Sequence, residues 1–166
     1  MLEWFSKKAE AESDKLSELF TAFEAGDADA ITRLLNRQLM TTISYHDAKE
    51  SFYHGFLLAL LSTCARWGVS SNAEAGEGRA DIVVEREDGE FGFIIELKFT
   101  RDRKQLDAAC AAAMAQIDDR KYTYSLRRFG VEHILAYGIA FCGKRCRVQV
   151  RPVKVDFDDE NDDAWD

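Results

Sequence analysis

The alternation of apolar and polar positions predicts two helices at the start of the chain. Apolar residues recur at helical spacing over Leu2–Glu24. Gly26 is expected to end this helix, and Asp27 to cap a second helix that continues to Leu39. A third helix is predicted over Asp47–Trp67, where leucines and phenylalanines form a broad apolar face. The first two helices carry no evident chemistry and are interpreted as packing elements.

Three strands are predicted next. Val69–Glu74 is the first, and Ala80–Glu85 and Phe91–Phe99 form a hairpin, because the Asp-Gly pair at 88–89 suits a tight turn. Glycines at 76 and 78 allow the chain to turn just before the hairpin.

The remainder of the chain predicts one helix and two strands. Lys104–Leu126 has a helical stripe with small residues, and Ile134–Cys142 is apolar enough to be a central strand. Arg145–Val155 alternates as an edge strand, which suits Pro152. The predicted fold is α/β, a mixed sheet flanked by helices.

The hairpin brings two carboxylates together. With a two-residue loop at the turn, Asp81 lies opposite Glu96, and Lys98 lies on the same face opposite Arg79. A three-residue loop would move one carboxylate to the other face.

Two facing acids destabilise a strand pair unless something compensates their charge. A divalent cation would do so, and carboxylate oxygens suit Mg²⁺ or Mn²⁺. Lys98 could then hold an anion or a water beside the metal. The alternative is an ordinary solvated hairpin in which Glu96 pairs with Lys98 or Arg79.

These residues carry a family resemblance. Asp81, followed after fourteen residues by Glu96-Leu97-Lys98, resembles the PD-(D/E)XK nuclease signature. Ordered blocks between about Ser44 and Val150 resemble one subgroup, in which the domain usually follows an AAA-type ATPase-like domain; they read SFYHGFLLALL, SNAEAGEGRADIVV, FIIELKF, AMAQIDDRKY and GIAFCGK.

The resemblance implies a restriction-endonuclease-like core and metal-dependent hydrolysis of phosphodiester bonds, in DNA. It implies that Asp81, Glu96 and the backbone carbonyl of Leu97 hold Mg²⁺ or Mn²⁺. Lys98 would orient or deprotonate the attacking water.

Further candidate site residues each have an alternative, and for Glu50 the candidate role is implied by the resemblance. Glu50 is the candidate for a helix glutamate beside the metal, but its spacing from Asp47 also fits a capping box. His54 is either a core histidine bonded to backbone or a group that touches substrate. Glu74 either approaches the metal or is an exposed loop acid.

Gln116 is the candidate for a glutamine near substrate, against a simple surface role. Related nucleases place a tyrosine after it; here Tyr122 follows by six residues rather than four. Arg79 either neutralises a phosphate or pairs with Glu96.

The net charge of −8 is unevenly distributed. Residues 99–155 hold twelve Lys or Arg against five Asp or Glu, a net of +7, whereas residues 156–166 carry −7. A basic groove along a phosphate backbone is one interpretation; solubilising edge charges are the other. Its members would be Lys144, Arg145, Arg147 and Arg151, with Arg120, Lys121, Arg127 and Arg128.

The last residues read as a disordered acidic tail, which either solubilises the chain or competes with phosphates. A truncation ending at Val155 should bind DNA more tightly in the second case.

The bulk composition indicates a soluble, cytoplasmic protein with no membrane span and with free cysteines rather than disulfides or a zinc site. The expected division is a helical appendage at 1–43, a nuclease-like domain at 44–155 and a tail at 156–166. Oligomeric state is left open. The alternative function is a catalytically silent nuclease-fold module that binds or regulates, together with an AAA-type ATPase partner.

Overall fold

A computed structural model describes residues 2–42, 49–71, 80–119, 131 and 133–153. Within these ranges the chain forms four α-helices, five strands and one short 3₁₀ turn. In chain order they are α1 Leu2–Ala25, α2 Ala28–Thr42, α3 Glu50–Leu61, β1 Trp67–Ser71, β2 Ile82–Arg86, β3 Phe91–Phe99, the 3₁₀ turn Arg103–Gln105, α4 Leu106–Asp119, β4 His133–Cys142 and β5 Arg145–Val153.

The five strands form one mixed sheet in the order β1-β2-β3-β4-β5. β3 and β4 are parallel, and the other neighbours are antiparallel. The helix between the two parallel strands is α4, as a parallel crossover requires. The predicted α/β fold, a restriction-endonuclease-like mixed sheet flanked by helices, is confirmed, with β3 at the centre and β5 at an edge.

The register of the β2–β3 hairpin is the predicted one, but its loop is longer. Ile82 faces Ile95 and Glu85 faces Gly92, and the observed pairing ends at Ile82, one residue short of Asp81. The strands are joined by Glu87–Glu90 rather than by two residues, with Gly89 at φ 73° donating to the Arg86 carbonyl at 2.9 Å. The Asp88 carboxylate accepts from the Glu90 amide and the Arg86 guanidinium, which stabilises this wider turn.

One face of the sheet packs on α1, α2 and α3. The fully buried side chains of this core are large, and several are aromatic: Phe23, Tyr53, Phe93, Tyr137 and Phe141. The Tyr137 hydroxyl donates to the carbonyl of Phe23, which ties β4 to α1. The packing role predicted for α1 and α2 is therefore confirmed, and the helices expected as an appendage share their core with the sheet. The expected division at residue 43 falls outside the described residues.

α2 is also held on edge strand β5 by side chains that bind its backbone. Asn36 Oδ1 accepts from the Cys146 amide at 2.7 Å, and Thr32 Oγ1 accepts from the Val148 amide at 3.2 Å. These two hydrogen bonds occupy backbone donors that an edge strand would otherwise offer to another chain.

The junction of α1 and α2 is the predicted one. Gly26 adopts φ 68°, and the Asp27 amide donates to the Ala22 carbonyl at 3.0 Å, as in a Schellman motif. Asp27 Oδ1 then accepts from the Ala30 amide at 2.9 Å and caps α2.

The predicted third helix was too long. α3 ends at Leu61, where the Ser62 and Thr63 hydroxyls donate to the carbonyls of Leu58 and Leu60. Hydroxyls that bond back to the helix favour its end. Trp67 begins β1 instead, two residues before the predicted strand, and its indole donates to Glu24 at 3.1 Å.

The other face of the sheet is covered by α4, which approaches β4 closely. A Cβ built at Gly138 would lie 2.8 Å from the Cys110 carbonyl and 2.8 Å from Met114 Cγ. The Cys110 thiol donates to the Gly138 carbonyl at 2.9 Å. Within the described ranges, none of the helices combines the length and apolar character needed to cross a membrane.

Candidate active site

The candidate site lies where β3 extends past the start of β2. The first paired residue of β2 is Ile82, and the chain turns at Asp81 just before it. Asp81 Oδ2 accepts from the Leu97 amide at 2.8 Å. The carboxylate thus continues the hydrogen bonding of the ladder in place of backbone, and this bond fixes Asp81 against β3.

The backbone of Leu97 faces the same side as the Asp81 carboxylate. In a strand, the amide and carbonyl of one residue point in the same direction. Because the Leu97 amide is directed at Asp81, the Leu97 carbonyl is directed toward that region as well. The predicted pairing of a carboxylate with this carbonyl is compatible with the fold.

Glu96, Lys98 and Gln116 form a hydrogen-bonded triangle on the α4 face of β3. Lys98 Nζ lies 3.3 Å from Glu96 Oε1, and Gln116 on α4 donates to the same oxygen. The Gln116 carbonyl oxygen accepts from Lys98. Glu96 is only 2% exposed, so its negative charge needs these partners to offset the loss of water.

Asp81 also opens onto a cleft of about 550 Å³. The cleft is lined by the first turn of α3 together with the Asp81–Leu97 contact: Lys49, Glu50, Ser51, His54, Asp81 and Leu97. Glu50 is the first helical residue, and Lys49 occupies the N-cap without a side-chain capping bond. The capping-box interpretation of Glu50 is therefore wrong, because the N-cap is Lys49 and the helix starts two residues later than an Asp47 cap would require.

His54 joins α3 to both neighbouring segments of the site. Its Nε2 is 3.2 Å from the Asp81 carbonyl oxygen and 3.1 Å from Ser71 Oγ. A carbonyl only accepts, so Nε2 carries the proton in this arrangement. The predicted backbone bond of His54 is confirmed, and its acceptor is the carbonyl of the site aspartate itself.

Sequence reasoning missed Ser71 and Lys49. The predicted strand begins at Val69, two residues after the observed start at Trp67, and Ser71 lies inside both strands. The position of Ser71 in the sequence gives no sign of a site residue. With Asp47 as the predicted cap, Lys49 falls inside the predicted helix rather than at its N-terminus. The candidates Glu74, Arg79 and Tyr122 lie outside the described residues.

The donor atoms at the site fit a hard divalent cation in chemical type. Two carboxylates, a backbone carbonyl and the Glu50 carboxylate nearby are all oxygen donors, which Mg²⁺ and Mn²⁺ prefer. The described ranges nevertheless contain no ready group of three or more His, Cys, Asp or Glu side chains around one point. In this arrangement Lys98 and Gln116 engage the Glu96 oxygen that a cation would share.

The predicted basic groove is divided in two. Arg147 pairs with Asp107 at 2.8 Å and Arg151 pairs with Asp118, so both arginines join β5 to α4. Lys144 and Arg145 instead line a separate cleft with Arg101 and Arg103. The other four predicted members, Arg120, Lys121, Arg127 and Arg128, fall outside the described residues.

Residues 48–151 match a family model of the PD-(D/E)XK nuclease superfamily, a span that includes every residue of the site described above. A search of curated proteins found no match.

Proposed function

The chain belongs to the PD-(D/E)XK nuclease superfamily, and on that premise we propose that it is a nuclease that hydrolyses phosphodiester bonds in DNA with Mg²⁺ or Mn²⁺. The observation that carries the proposal is the arrangement of the signature residues around β3: Asp81 accepts from the amide of Leu97, the residue between Glu96 and Lys98, and Lys98 Nζ lies 3.3 Å from Glu96 Oε1. These are the three residue types of the family signature in the order the signature requires.

In this proposal the cation is held by Asp81, Glu96 and the carbonyl of Leu97, with Glu50 at the edge of the same cleft. When bound, such a cation supplies a Lewis acid that activates water and offsets charge on the phosphate. The Leu97 amide donates to Asp81 Oδ2, so the carboxylate that would hold the cation is fixed against β3.

Lys98 has the geometry to place a positive charge next to the reacting phosphate. Its stem leaves the central strand, and its ammonium is held by Glu96 and Gln116. An ammonium fixed in this way orients the attacking water and stabilises negative charge in the transition state. Gln116 is therefore a positioning residue for Lys98 as well as a candidate for substrate contact.

His54 supports the site from the helix side. By donating to the Asp81 carbonyl, it fixes the bend that directs the Asp81 carboxylate toward β3. Its protonation on Nε2 is part of this support, since loss of that donor would release the Asp81 backbone.

A cleavage screen tests the proposal. The full chain is incubated with single-stranded, duplex and branched DNA and with RNA, in Mg²⁺, in Mn²⁺ and in EDTA. We expect cation-dependent cleavage of at least one DNA substrate, and loss of that cleavage in Asp81→Ala, Glu96→Ala and Lys98→Ala variants that remain folded. Cleavage that survives any one of these changes would refute the assignment.

A second candidate function is supported by the closed triangle at Glu96. Because Lys98 and Gln116 both bind Glu96 Oε1, this buried oxygen has hydrogen-bond partners without a cation. A catalytically silent module that works with an AAA-type ATPase partner would have this property. Thermal unfolding in increasing Mg²⁺ or Mn²⁺ separates the two candidates, since a ligand that binds the folded state raises its stability. A cation-dependent rise favours the nuclease, and none favours the silent module.

A further inference from the structure

A second cleft opens at the far end of β3 from the hairpin turn. It has a volume of about 450 Å³ and lies between the segment that follows β3 and the turn that joins β4 to β5. We term it the distal cleft and define it by Arg101, Arg103, Lys144 and Arg145 together with Phe99 and Met40.

The distal cleft is basic and is lined by no acidic side chain from the described ranges. Arg101, Arg103 and Arg145 are exposed. Asp102 lies between two of these arginines in sequence, but its carboxylate accepts from the Lys104 amide and caps the 3₁₀ turn. The arginines at 147 and 151 differ, because each has an acidic partner on α4.

The same cleft has an apolar side. Phe99 is half-buried and stacks on Tyr53 with ring centroids 5.7 Å apart and planes 25° apart. Met40 is 51% exposed. The cationic side chains suit the phosphate of a nucleotide, and the aromatic ring and exposed thioether suit its flat base.

The distal cleft adjoins the candidate active site. Phe99 follows Leu97 by two residues on the same face of β3, which is a separation of roughly 6.6 Å along the strand. Tyr53, the neighbour of His54 on α3, lies between the two clefts and donates to the Gly143 carbonyl at 2.8 Å. Burial raises the pKa of Tyr53, so this hydroxyl stays a donor at neutral pH.

We propose that the distal cleft binds an unpaired nucleotide of the substrate, close in sequence to the phosphodiester bond that is cleaved. The proposal rests on the proposed nuclease function and adds that the substrate is single-stranded at this position. The arginines and Lys144 hold the phosphate, and the base lies against Phe99 and Met40. A cleft of this volume suits one small ligand rather than a stacked base pair.

Binding without cleavage tests the proposal. Fluorescence anisotropy of a short labelled oligothymidylate and of a duplex of similar length is measured in EDTA with the full chain, over a salt series. We expect the single strand to bind more tightly than the duplex. Arg101→Ala/Arg145→Ala should weaken single-strand binding by about tenfold or more, and should lower the salt slope by about 1.4.

Two further variants make the test specific. Phe99→Leu keeps an apolar side chain in the core but removes the ring, and should weaken binding by about fivefold or more through lost stacking. Arg33→Ala/Arg66→Ala removes the same charge elsewhere, from arginines that pair with Glu18 and Glu24, and should leave affinity almost unchanged.

The outcomes separate this proposal from the nuclease assignment. Equal weakening by both double variants, or tighter binding of the duplex, would overturn the distal-cleft proposal even in an active nuclease. Single-strand binding that depends on Arg101, Arg145 and Phe99 would sustain it even where the cleavage screen shows no activity.

Discussion

The two faces of the sheet are covered by different kinds of residue. On the face that meets α1, α2 and α3, large aromatic side chains such as Phe23, Phe93 and Tyr137 interlock. On the face that meets α4, the buried cluster is aliphatic, with Met114 and Ile117 among its members, and Gly138 lies against the Cys110 carbonyl. The aromatic side chains bury a large apolar area. On the other face, the missing side chain at Gly138 lets α4 come close enough to the sheet for Gln116 to reach the charged side chains of β3.

The comparison teaches that stability and chemistry are separated across one strand. β3 sends Ile95 and Leu97 into the aromatic core and sends Glu96 and Lys98 to the other side. Alternation along a strand makes this separation automatic. Changes on the aromatic face should therefore alter the free energy of unfolding, and changes on the α4 face should alter the chemistry.

The largest effect on stability is expected from Phe23→Ala. Phe23 is fully buried and contacts Trp67, Phe93 and Tyr137. Its removal leaves a cavity and should lower the free energy of unfolding by about 3–5 kcal/mol, measured by chemical denaturation. Cleavage per folded molecule should not change. A loss below about 1 kcal/mol would show that the aromatic face does not dominate stability.

Sequence periodicity was sufficient for this half of the fold. The helical stripe of α1, the glycine stop at Gly26 and the Asp27 cap all depend on neighbours in sequence, and the structure confirms them. The predicted end of α3 is wrong. Trp67 continues the apolar pattern of the helix, but it lies outside α3 and its indole donates to Glu24 on α1. Such long-range contacts leave no local signal.

The next effect concerns how closely α4 lies on the sheet. Gly138→Ala adds a Cβ that would meet the Cys110 carbonyl at 2.8 Å, a backbone group that cannot rotate away. The helix must shift, which should cost about 1–3 kcal/mol and should slow cleavage by moving Gln116 away from Glu96.

Gly55→Ala is the matched control, since a Cβ there meets nothing within 4 Å on the exposed side of α3. It should stabilise the chain by about 0.5–1 kcal/mol. If Gly138→Ala behaved like this control in chemical denaturation, the close approach of α4 would not constrain the site.

The smallest effect is a loss of stability at alkaline pH. Burial raises the pKa of Cys110 from 9.0 to about 11 and that of Cys146 to about 12. Above pH 9 the unfolded chain loses protons that the folded chain retains. This stabilisation is therefore complete below pH 9 and is lost as the pH rises toward 11.

Cys110 should contribute about 1 kcal/mol of that loss between pH 9 and pH 10. Denaturation of the reduced protein at these two pH values measures it, and Cys110→Ala should reduce the pH dependence by that amount. An unchanged dependence would mean that the thiol under α4 is not the titrating group.

The candidate site was predictable only where one hairpin determines it. The register of the hairpin follows from turn position and strand alternation, and the structure reproduces it over Ile82–Glu85 despite the longer loop. The Glu96–Lys98–Gln116 triangle needs α4 packed on β3, and the contact of His54 with Asp81 needs α3 packed beside β1. Neither packing is encoded in local spacing. Gln116 is a candidate only through the family resemblance, and the sequence does not predict that His54 contacts Asp81.

The central claim is that Lys98, beside Glu96 and Asp81, serves a cation-dependent phosphodiesterase. The most direct measurement is the single-turnover cleavage rate in Mg²⁺ of wild type, Lys98→Ala and Lys104→Ala, since Lys104 is an exposed lysine on the nearby 3₁₀ turn. We expect the rate per folded molecule of Lys98→Ala to fall by about 10²–10³-fold, together with a loss of thermal stability because buried Glu96 loses a partner, and the rate of Lys104→Ala to match wild type. Equal rates for wild type and Lys98→Ala would contradict the account.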